Sequence, residues 1–365
     1  ERVLMADNRY LELYRAEHFP VFQNRMFPSA QEAVNCVVGD IVLVRDQSTG
    51  LVFNRAFNPA LMKYDADYQN EQSLSPAFLA HLDNVACVIQ RNFSGLSLVE
   101  LGCGKGYFLE RLQSCGFNII GFDPAYEGSN PCIEKREFDS AAGLHADGIV
   151  LRHVLEHIPS PVEFLESIRN ANQGTGKIYI EVPCFDWICE RRAWFDVFYE
   201  HVNYFRLNDL LAMFGQVYES GRLFSGQYLY VVADLRSLKV PVRDRSDDFA
   251  FPAGFLDGVS QCAGMIEAIS ARGLPCCVWG GASKGVIFSL LMQRSGVSID
   301  YVVDVNPMKQ GRYLASTGLR VSSPEEVAGH LPEGAVIFVM NGNYADEINA
   351  MTGGMYDLVV VDAMS

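Results

Sequence analysis

Apolar and polar positions along this chain follow two periods, one typical of strands and one typical of helices. From Leu98 to about Asp234, apolar runs of strand length alternate with stretches of helical spacing, which predicts a doubly wound parallel sheet. The same alternation returns after a polar, charged stretch. We therefore predict an N-terminal module with strands over residues 1–75, an α/β core over 76–236, a linker over 237–254 and a smaller α/β domain over 255–365.

The same pattern predicts individual elements. Ser75-Pro76 indicates the start of a helix that ends near Asn92, and a second helix is expected over about 107–114. The predicted strands are Val38–Asp46 and Leu51–Phe57 in the N-terminal module, Leu98–Leu101, Asn118–Phe122, Gly148–Leu151 and Lys177–Val182 in the core, and Tyr228–Leu235 as an antiparallel edge strand of the core.

The segment VELGCGKG lies between the first core strand and the helix after it. Its GxGxG spacing differs from the GxGxxG of pyrophosphate-binding loops, and Glu100 precedes it, where an acid repels phosphate but suits a cationic amino acid. Asp123 ends the next strand and can accept hydrogen bonds from ribose hydroxyls. The segment resembles motif I of the class I S-adenosylmethionine (SAM)-dependent methyltransferases. A nicotinamide site and a purely structural turn are the alternatives.

This resemblance predicts a Rossmann-like core that binds SAM. The residues expected to line SAM are Glu100, Gly102, Cys103, Gly104, Gly106, Asp123, Pro124, Asp139, Arg152 and His153.

A second glycine turn, with Gly280, Gly281 and Gly285, opens the C-terminal domain. It carries Ser283 and Lys284 and no preceding acid, and Asp304 ends its second strand. A lysine near a helix N-terminus suits an anionic phosphate. A tight strand-to-helix turn that binds nothing explains the glycines equally well.

Two stretches of the core carry candidate catalytic groups. LRHVLEHI contains His153 and His157, which are four residues apart and would share one face if the segment is helical. His157 lies where a loop should begin. The second stretch places Tyr199, Glu200 and His201 together. A histidine beside a carboxylate can act as a general base near neutral pH. Such a base is needed when the methyl acceptor is a carbon α to a carbonyl, since a proton must leave before the methyl group arrives.

The composition of the chain limits the kinds of molecule that it is expected to bind. The formal charge of −15 argues against nucleic acid or an anionic membrane, because both require basic surfaces. No apolar run is long enough to span a bilayer. The ten cysteines show no CxxC pair, so we expect free thiols, no bound metal and a reducing, cytoplasmic compartment.

Most of the chain resembles the bacterial sugar C-methyltransferases, which methylate keto-deoxysugars attached to a nucleoside diphosphate. The motifs that carry the resemblance are DYQNEQSLSPAFLAHL, EHVNYF, WGGASKG, VVDVNPMKQG and MNGNYADEI. The resemblance implies a catalytic base group of Tyr199, Glu200 and His201, with His157 lining the same site. It also implies that the C-terminal domain helps hold the nucleotide-sugar. The residues expected to bind substrate are Tyr68, Asn70, Lys284, Asn306, Lys309, Asn341 and Tyr344.

Two segments depart from the family pattern. The turn that reads CxxCG in the family's zinc-binding module reads Asp46-Gln47-Ser48-Thr49-Gly50 here, so the module lacks its metal ligands. The segment that reads Tyr-Pro-Tyr-His-Ser in relatives that act on sugars reads Tyr68-Gln69-Asn70-Glu71-Gln72, which leaves the acceptor open.

We expect a SAM-dependent methyltransferase, monomeric or homodimeric, that methylates carbon of a keto-deoxysugar nucleotide through an enolate. An O- or N-methyltransferase on another small metabolite and a non-catalytic SAM- or nucleotide-sugar-binding subunit are the alternatives.

Overall fold

The computed structural model of the chain describes residues 9–62, 75–247 and 249–364. They form three sheets together with ten α-helices within the described residues. The helices are α1 Ala30–Val34, α2 Pro76–Phe93, α3 Tyr107–Ser114, α4 Pro161–Ala171, α5 Phe185–Glu190, α6 Leu207–Ala212, α7 Asp257–Ala271, α8 Lys284–Arg294, α9 Pro324–Ala328 and α10 Ala345–Met351. None of these helices combines the length and the apolar character needed to cross a membrane.

The N-terminal sheet is antiparallel, and its fourth strand comes from the core. Its order is β1 Tyr10–Pro20, β2 Val38–Asp46, β3 Val52–Asn54 and β9 Asn203–Tyr204. The turn after β2 is closed by the Asp46 carboxylate, which accepts the backbone N–H groups of Ser48 at 2.7 Å and Thr49 at 3.2 Å. An aspartate side chain thus holds the turn in which the zinc-binding modules have cysteines.

The core sheet has seven strands. Six run in the same direction, and the seventh, Tyr228–Asp234, lies between two of them and runs antiparallel to both. In spatial order they are β6 Ile133–Glu134, β5 Asn118–Phe122, β4 Ser97–Leu101, β7 Gly148–Arg152, β8 Lys177–Pro183, β11 Tyr228–Asp234 and β10 Val217–Leu223. The order reverses at β4 and β7, which creates the crevice in which open α/β sheets bind ligands. This is the strand order of a class I methyltransferase core, and it confirms the predicted fold.

The C-terminal sheet is entirely parallel and has five strands. In spatial order they are β14 Val321–Ser322, β13 Tyr301–Val303, β12 Cys276–Trp279, β15 Val336–Val339 and β16 Asp357–Val360. The strand order also reverses at β12, so the carboxyl edge of this sheet opens a second crevice. The predicted second Rossmann-like domain is thus present.

Three predictions about elements need correction. Tyr228–Leu235 is antiparallel as predicted, but it is not the edge strand, because β10 pairs with its outer side. The predicted strand Leu51–Phe57 is confined to β3, and its C-terminal end turns toward the core. His153 and His157 do not share a helix face, since His153 has φ +51° and a short 3₁₀ turn over Leu155–His157 follows it.

Candidate active site

The first glycine loop has the geometry of a nucleoside-binding turn. Gly102 has φ +68°, and a Cβ there would lie 2.4 Å from the Val154 side chain, so only glycine fits. Gly104 has φ +55° with open space where a Cβ would be, which leaves room for a ligand against the backbone. The Asp123 carboxylate accepts the N–H groups of Gly104 at 2.7 Å and Ala125 at 2.8 Å. Each oxygen retains a lone pair for a ribose hydroxyl.

Glu100 provides the test of whether this loop fits SAM. Its side chain is buried, and no donor in the described part of the chain reaches its Oε2. Burial raises the pKa of this carboxyl to about 7, with further contributions from the nearby acids Asp123 and Glu181. An unpartnered carboxyl beside an open glycine loop calls for a cationic ligand group, and the ammonium of SAM is such a group. The residues present therefore fit SAM.

The other predicted cofactor residues lie around this loop. Cys103 and Gly106 belong to it, and a Cβ on Gly106 would lie 2.5 Å from Ile133. Pro124 is exposed directly after Asp123, and the Asp139 carboxylate accepts the N–H of Ala141 at 3.0 Å. Arg152 packs its guanidinium over the Phe108 ring at 4.4 Å, on the first turn of α3.

Arg152 and His153 are both bonded to one buried carboxylate, Glu181. The Oε1 atom of Glu181 lies 3.0 Å from His153 Nε2, 2.9 Å from His81 Nε2 and 3.3 Å from an Arg152 nitrogen. The Tyr179 hydroxyl donates to Oε2 at 2.6 Å. Burial opposes the ionisation of Glu181, but Arg152 and the two histidines hold its pKa well below the ordinary value. The sequence did not predict Glu181 as a site residue, because a single acidic residue in an apolar strand does not indicate which side chains it contacts.

His201 is brought to His157 by one backbone and one side-chain hydrogen bond between two loops. The Val202 N–H donates to the Glu156 carbonyl at 2.8 Å, and the Asn203 amide donates to the Ile158 carbonyl at 2.6 Å. The rings of His157 and His201 consequently lie 5.0 Å apart at 75°. These two predicted site residues are therefore neighbours, although 44 positions separate them in sequence.

Burial lowers the pKa of His201 well below the ordinary histidine value. The side chains of His157, His153 and Lys284 lower it further. The imidazole is therefore neutral at pH 7 and has a ring nitrogen that can accept a proton.

Glu156, which lies next to His201, is buried, and within the described residues the Oε2 atom of Glu156 meets no hydrogen-bond donor. Glu156 was not among the predicted site residues, although the motif LEHI contained it.

Tyr199 and Glu200 face the N-terminal module. The Tyr199 hydroxyl accepts the N–H of Asn58 at 2.8 Å, and its ring stacks on Phe57 at 5.3 Å. Glu200 Oε1 accepts the N–H of Gln23 at 3.0 Å, and Oε2 lies 3.5 Å from the Asn24 amide. These contacts give both side chains a role in fixing the loop that carries His201.

The second glycine loop borders a cavity of about 200 Å³ at the carboxyl edge of the C-terminal sheet. Four of the predicted substrate residues line it, namely Lys284, Lys309, Asn341 and Tyr344, while Asn306 is buried beside it. Asn24, Ser75 and Tyr228 close the cavity from the other two parts of the chain. The predicted residues Tyr68 and Asn70 lie outside the described residues.

Both lysines of the cavity are ion-paired. Lys284 Nζ lies 2.9 Å from Asp196 and donates to Gln227 at 3.0 Å, and Lys309 Nζ lies 3.2 Å from Asp304. Gln227 is buried and exchanges two hydrogen bonds with Asn341. Nothing in the local sequence marks Gln227, because its role arises only when the two α/β domains pack together.

Comparison with known proteins agrees with this geometry. Residues 71–217 match the family model described as a methyltransferase domain, and residues 251–357 match the model described as a C-methyltransferase C-terminal domain. The C-methyltransferase NovU of Streptomyces niveus is 25% identical over 292 residues, which is 69% of this chain and 67% of that protein.

Other similarities cover smaller parts of the chain. The ubiquinone biosynthesis O-methyltransferase of Cereibacter sphaeroides is 32% identical over 91 residues, 21% of this chain and 37% of that protein. A SAM-dependent methyltransferase structure from Mesorhizobium loti covers 43% of this chain and 99% of its own, at 14% identity and a TM-score of 0.34. A 1,6-didemethyltoxoflavin-N1-methyltransferase structure from Burkholderia thailandensis covers 42% of this chain and 78% of its own, at 14% identity and a TM-score of 0.32.

The strand order of the core, the glycine loop with its buried acid and the two matched domains agree with one another. SAM is the cofactor of this enzyme, and its methyl acceptor is a small molecule. The chain is therefore a SAM-dependent methyltransferase, and its residues 251–357 are similar to the C-terminal domain of C-methyltransferases.

Proposed function

We propose that the enzyme methylates a carbon atom next to the carbonyl of a keto-deoxysugar carried on a nucleoside diphosphate. The supporting observation is the position of His201. Its ring lies beside His157, on the loop after the core strands, and the nearby Lys284 lines the C-terminal cavity. A neutral histidine close to a lysine of the second ligand cavity suits removal of a proton from a carbon acid.

The C-terminal cavity supports a nucleotide-linked acceptor. Lys284 and Lys309 supply positive charge, and the Asp304 carboxylate accepts the Gly281 N–H at 2.8 Å as Asp123 does in the donor loop. Phosphate oxygens can take the place of the carboxylates that now neutralise the lysines. Asp304 is oriented to accept a ribose hydroxyl, which makes a nucleoside diphosphate the chemical class that suits the cavity.

The chemistry proceeds in two steps on the acceptor. His201 takes the proton from the α-carbon, and the electron pair of the broken C–H bond moves toward the carbonyl oxygen. The carbon then attacks the methyl group, so that a C–C bond forms as the methyl–sulfur bond breaks. SAM supplies the electrophilic methyl group and leaves as S-adenosylhomocysteine. The protein aligns the two reactants and keeps water out, which is most of what methyl transfer needs.

Proton exchange separates this proposal from O- or N-methylation. Keto-deoxysugar nucleotides that carry deuterium at the α-carbon serve as candidate acceptors. Each is incubated with the enzyme and with S-adenosylhomocysteine in place of SAM. We expect loss of deuterium to solvent, read by mass spectrometry, since proton removal does not require the methyl group. Product formed from SAM with the α-deuterium retained would contradict the proposal and favour methylation of oxygen or nitrogen.

Replacing the base gives the second arm of the test. His201→Ala should lower turnover by about 10²–10⁴ and abolish the exchange, while SAM binding measured by calorimetry stays as in the wild type. His145→Ala is the matched control, because that exposed histidine bonds to Thr175 away from the site. Unchanged turnover in His201→Ala would remove His201 from the mechanism. Binding of both ligands by the wild type without turnover would favour a non-catalytic subunit.

A further inference from the structure

We infer that Glu156, His157 and His201 form a site for one divalent transition-metal ion such as Zn²⁺ or Co²⁺. The three side chains each offer one ligand atom, and these atoms lie within 4.8 Å of one another. Two imidazoles and one carboxylate are a donor set that such ions prefer. The site is distinct from the cysteine turn of zinc-binding modules, which lies at Asp46–Gly50 in this chain.

The distances suit a small ion. Tetrahedral zinc with bonds of 2.0–2.2 Å places its ligand atoms about 3.4 Å apart. Each side chain would therefore move by less than about 1 Å to close on the ion. Two hydrogen bonds already hold the loops together, because the Val202 backbone N–H donates to the Glu156 carbonyl and the Asn203 side-chain amide donates to the Ile158 carbonyl. Only rotation of side chains is required.

The outer contacts of the ligands favour this interpretation. His157 Nδ1 lies 2.8 Å from the Glu200 carbonyl, so it carries the proton and leaves Nε2 with a free lone pair. Glu156 Oε1 lies 3.3 Å from His153 Nδ1, which leaves Oε2 for the ion. His153 in turn is held by Glu181. Metal-binding histidines and carboxylates have outer partners of this kind.

The decisive feature is the unpartnered carboxylate oxygen. Glu156 is buried, and across residues 9–62, 75–247 and 249–364 its Oε2 meets no donor. A second cluster, His81, His153 and Glu181, has similar spacing. There the carboxylate is already bonded to both histidines, Arg152 and Tyr179. Its negative charge is compensated, whereas that of Glu156 leaves one oxygen open to an ion.

An ion at this site would occupy the lone pair of His201. If His201 is the base, an inference that rests on the proposed function, the metal-loaded enzyme cannot remove the acceptor proton. Zn²⁺ should then inhibit turnover reversibly, and a chelator should restore it. His157 and His201 are mostly buried but keep some surface in contact with solvent, so an ion can reach them.

Cobalt titration of the full-length chain tests the site directly. After treatment with chelator, Co²⁺ should give a visible ligand-field band that saturates at one ion per chain, and Zn²⁺ should displace it. Glu156→Gln should weaken Co²⁺ binding by at least about 100-fold, the upper limit of what an outer partner alone contributes. The control His145→Ala should keep the band. Circular dichroism verifies that both variants fold.

The possible results distinguish a failure of the proposed metal site from a failure of the proposed role of His201 as base. A band that persists in Glu156→Gln and in His157→Ala, or no band in the wild type, would overturn the metal site and leave the proposed base untouched. A band that depends on these residues without inhibition by Zn²⁺ supports the site and contradicts the role of His201 as base.

Discussion

Asp304 has the same relationship to the second glycine loop as Asp123 has to the first. Asp123 accepts the Gly104 N–H at 2.7 Å and the Ala125 N–H at 2.8 Å, and Asp304 accepts those of Gly281 and Asn306, both at 2.8 Å. In each case a strand carbonyl also accepts the N–H of the loop's first glycine at 2.8 Å. The chain thus carries two loops of one design, with different charges around them.

The two aspartates should therefore affect different ligands. We expect Asp123→Asn to weaken SAM binding by about 10–100-fold, the loss of a hydrogen bond to a charged group. Asp304→Asn should weaken acceptor binding by a similar factor and leave the dissociation constant of SAM unchanged. Calorimetry with SAM and steady-state kinetics with the acceptor measure the two effects. A change in SAM affinity in Asp304→Asn would show that the loops are not independent.

Glu100 should make SAM binding depend on pH. Burial raises the pKa of its carboxyl to about 7, and the ammonium of SAM favours the ionised form. SAM affinity should therefore fall as the pH drops below 7, approaching tenfold per pH unit. Calorimetry between pH 5.5 and about 7.5 tests this, a range in which an α-amino group stays largely protonated. Glu100→Gln should bind weakly, with a flat pH profile.

The same carboxyl should lower the stability of the free protein at neutral pH. Because its pKa is raised in the folded state, the folded protein holds a proton that the unfolded chain releases at lower pH. The free energy of unfolding therefore falls as the pH rises toward 7 and stays low above it. Glu100→Gln should raise that free energy at pH 8 by up to about 3 kcal/mol. Urea denaturation measures it, and a destabilised variant would contradict the argument.

Gly285 offers a test of the C-terminal loop with an internal control. A Cβ at Gly285 would lie 1.8 Å from the Gly280 carbonyl oxygen, so Gly285→Ala must displace the loop and should raise the KM for the acceptor. Gly264 lies within α7, and no atom lies within 4 Å of its Cβ position. Gly264→Ala should stabilise the protein by about 0.5–1 kcal/mol and leave both KM values unchanged.

Tyr199 and Glu200 should behave differently from His201. Tyr199→Phe removes the acceptor of the Asn58 N–H, and we expect a loss of about 1 kcal/mol in the free energy of unfolding with turnover reduced less than tenfold. Denaturation and turnover assays on the same sample separate the two effects. A drop of about 10³ in turnover with unchanged stability would instead place Tyr199 in the base group.

Local patterns predicted most of the fold. The two strands next to the first glycine loop and α3 have the expected bounds, because glycines and apolar runs determine them within a few residues. The two-residue strand β9 and the edge strand β10 were missed. The first pairs only with the distant β3, and the second alternates its exposure without a strongly apolar face.

The candidate site was predictable where it depends on sheet edges. Lys284, Lys309, Asn341 and Tyr344 meet because parallel strands end on one side of a sheet. The partners of Glu200 and Lys284 were not predictable. Gln23 lies 177 positions from Glu200, and Gln227 lies 57 positions from Lys284, so only the packing of whole domains brings them together.

Strand β9, which directly follows His201 and Val202, completes the N-terminal sheet by pairing with β3. During synthesis β1, β2 and β3 therefore leave the ribosome long before the strand that covers the open side of β3. Until then that side is an unprotected edge, the kind of surface on which nascent chains aggregate. The segment that bears His201 also covers this side of β3, so formation of the candidate site and protection of that strand occur in the same folding step.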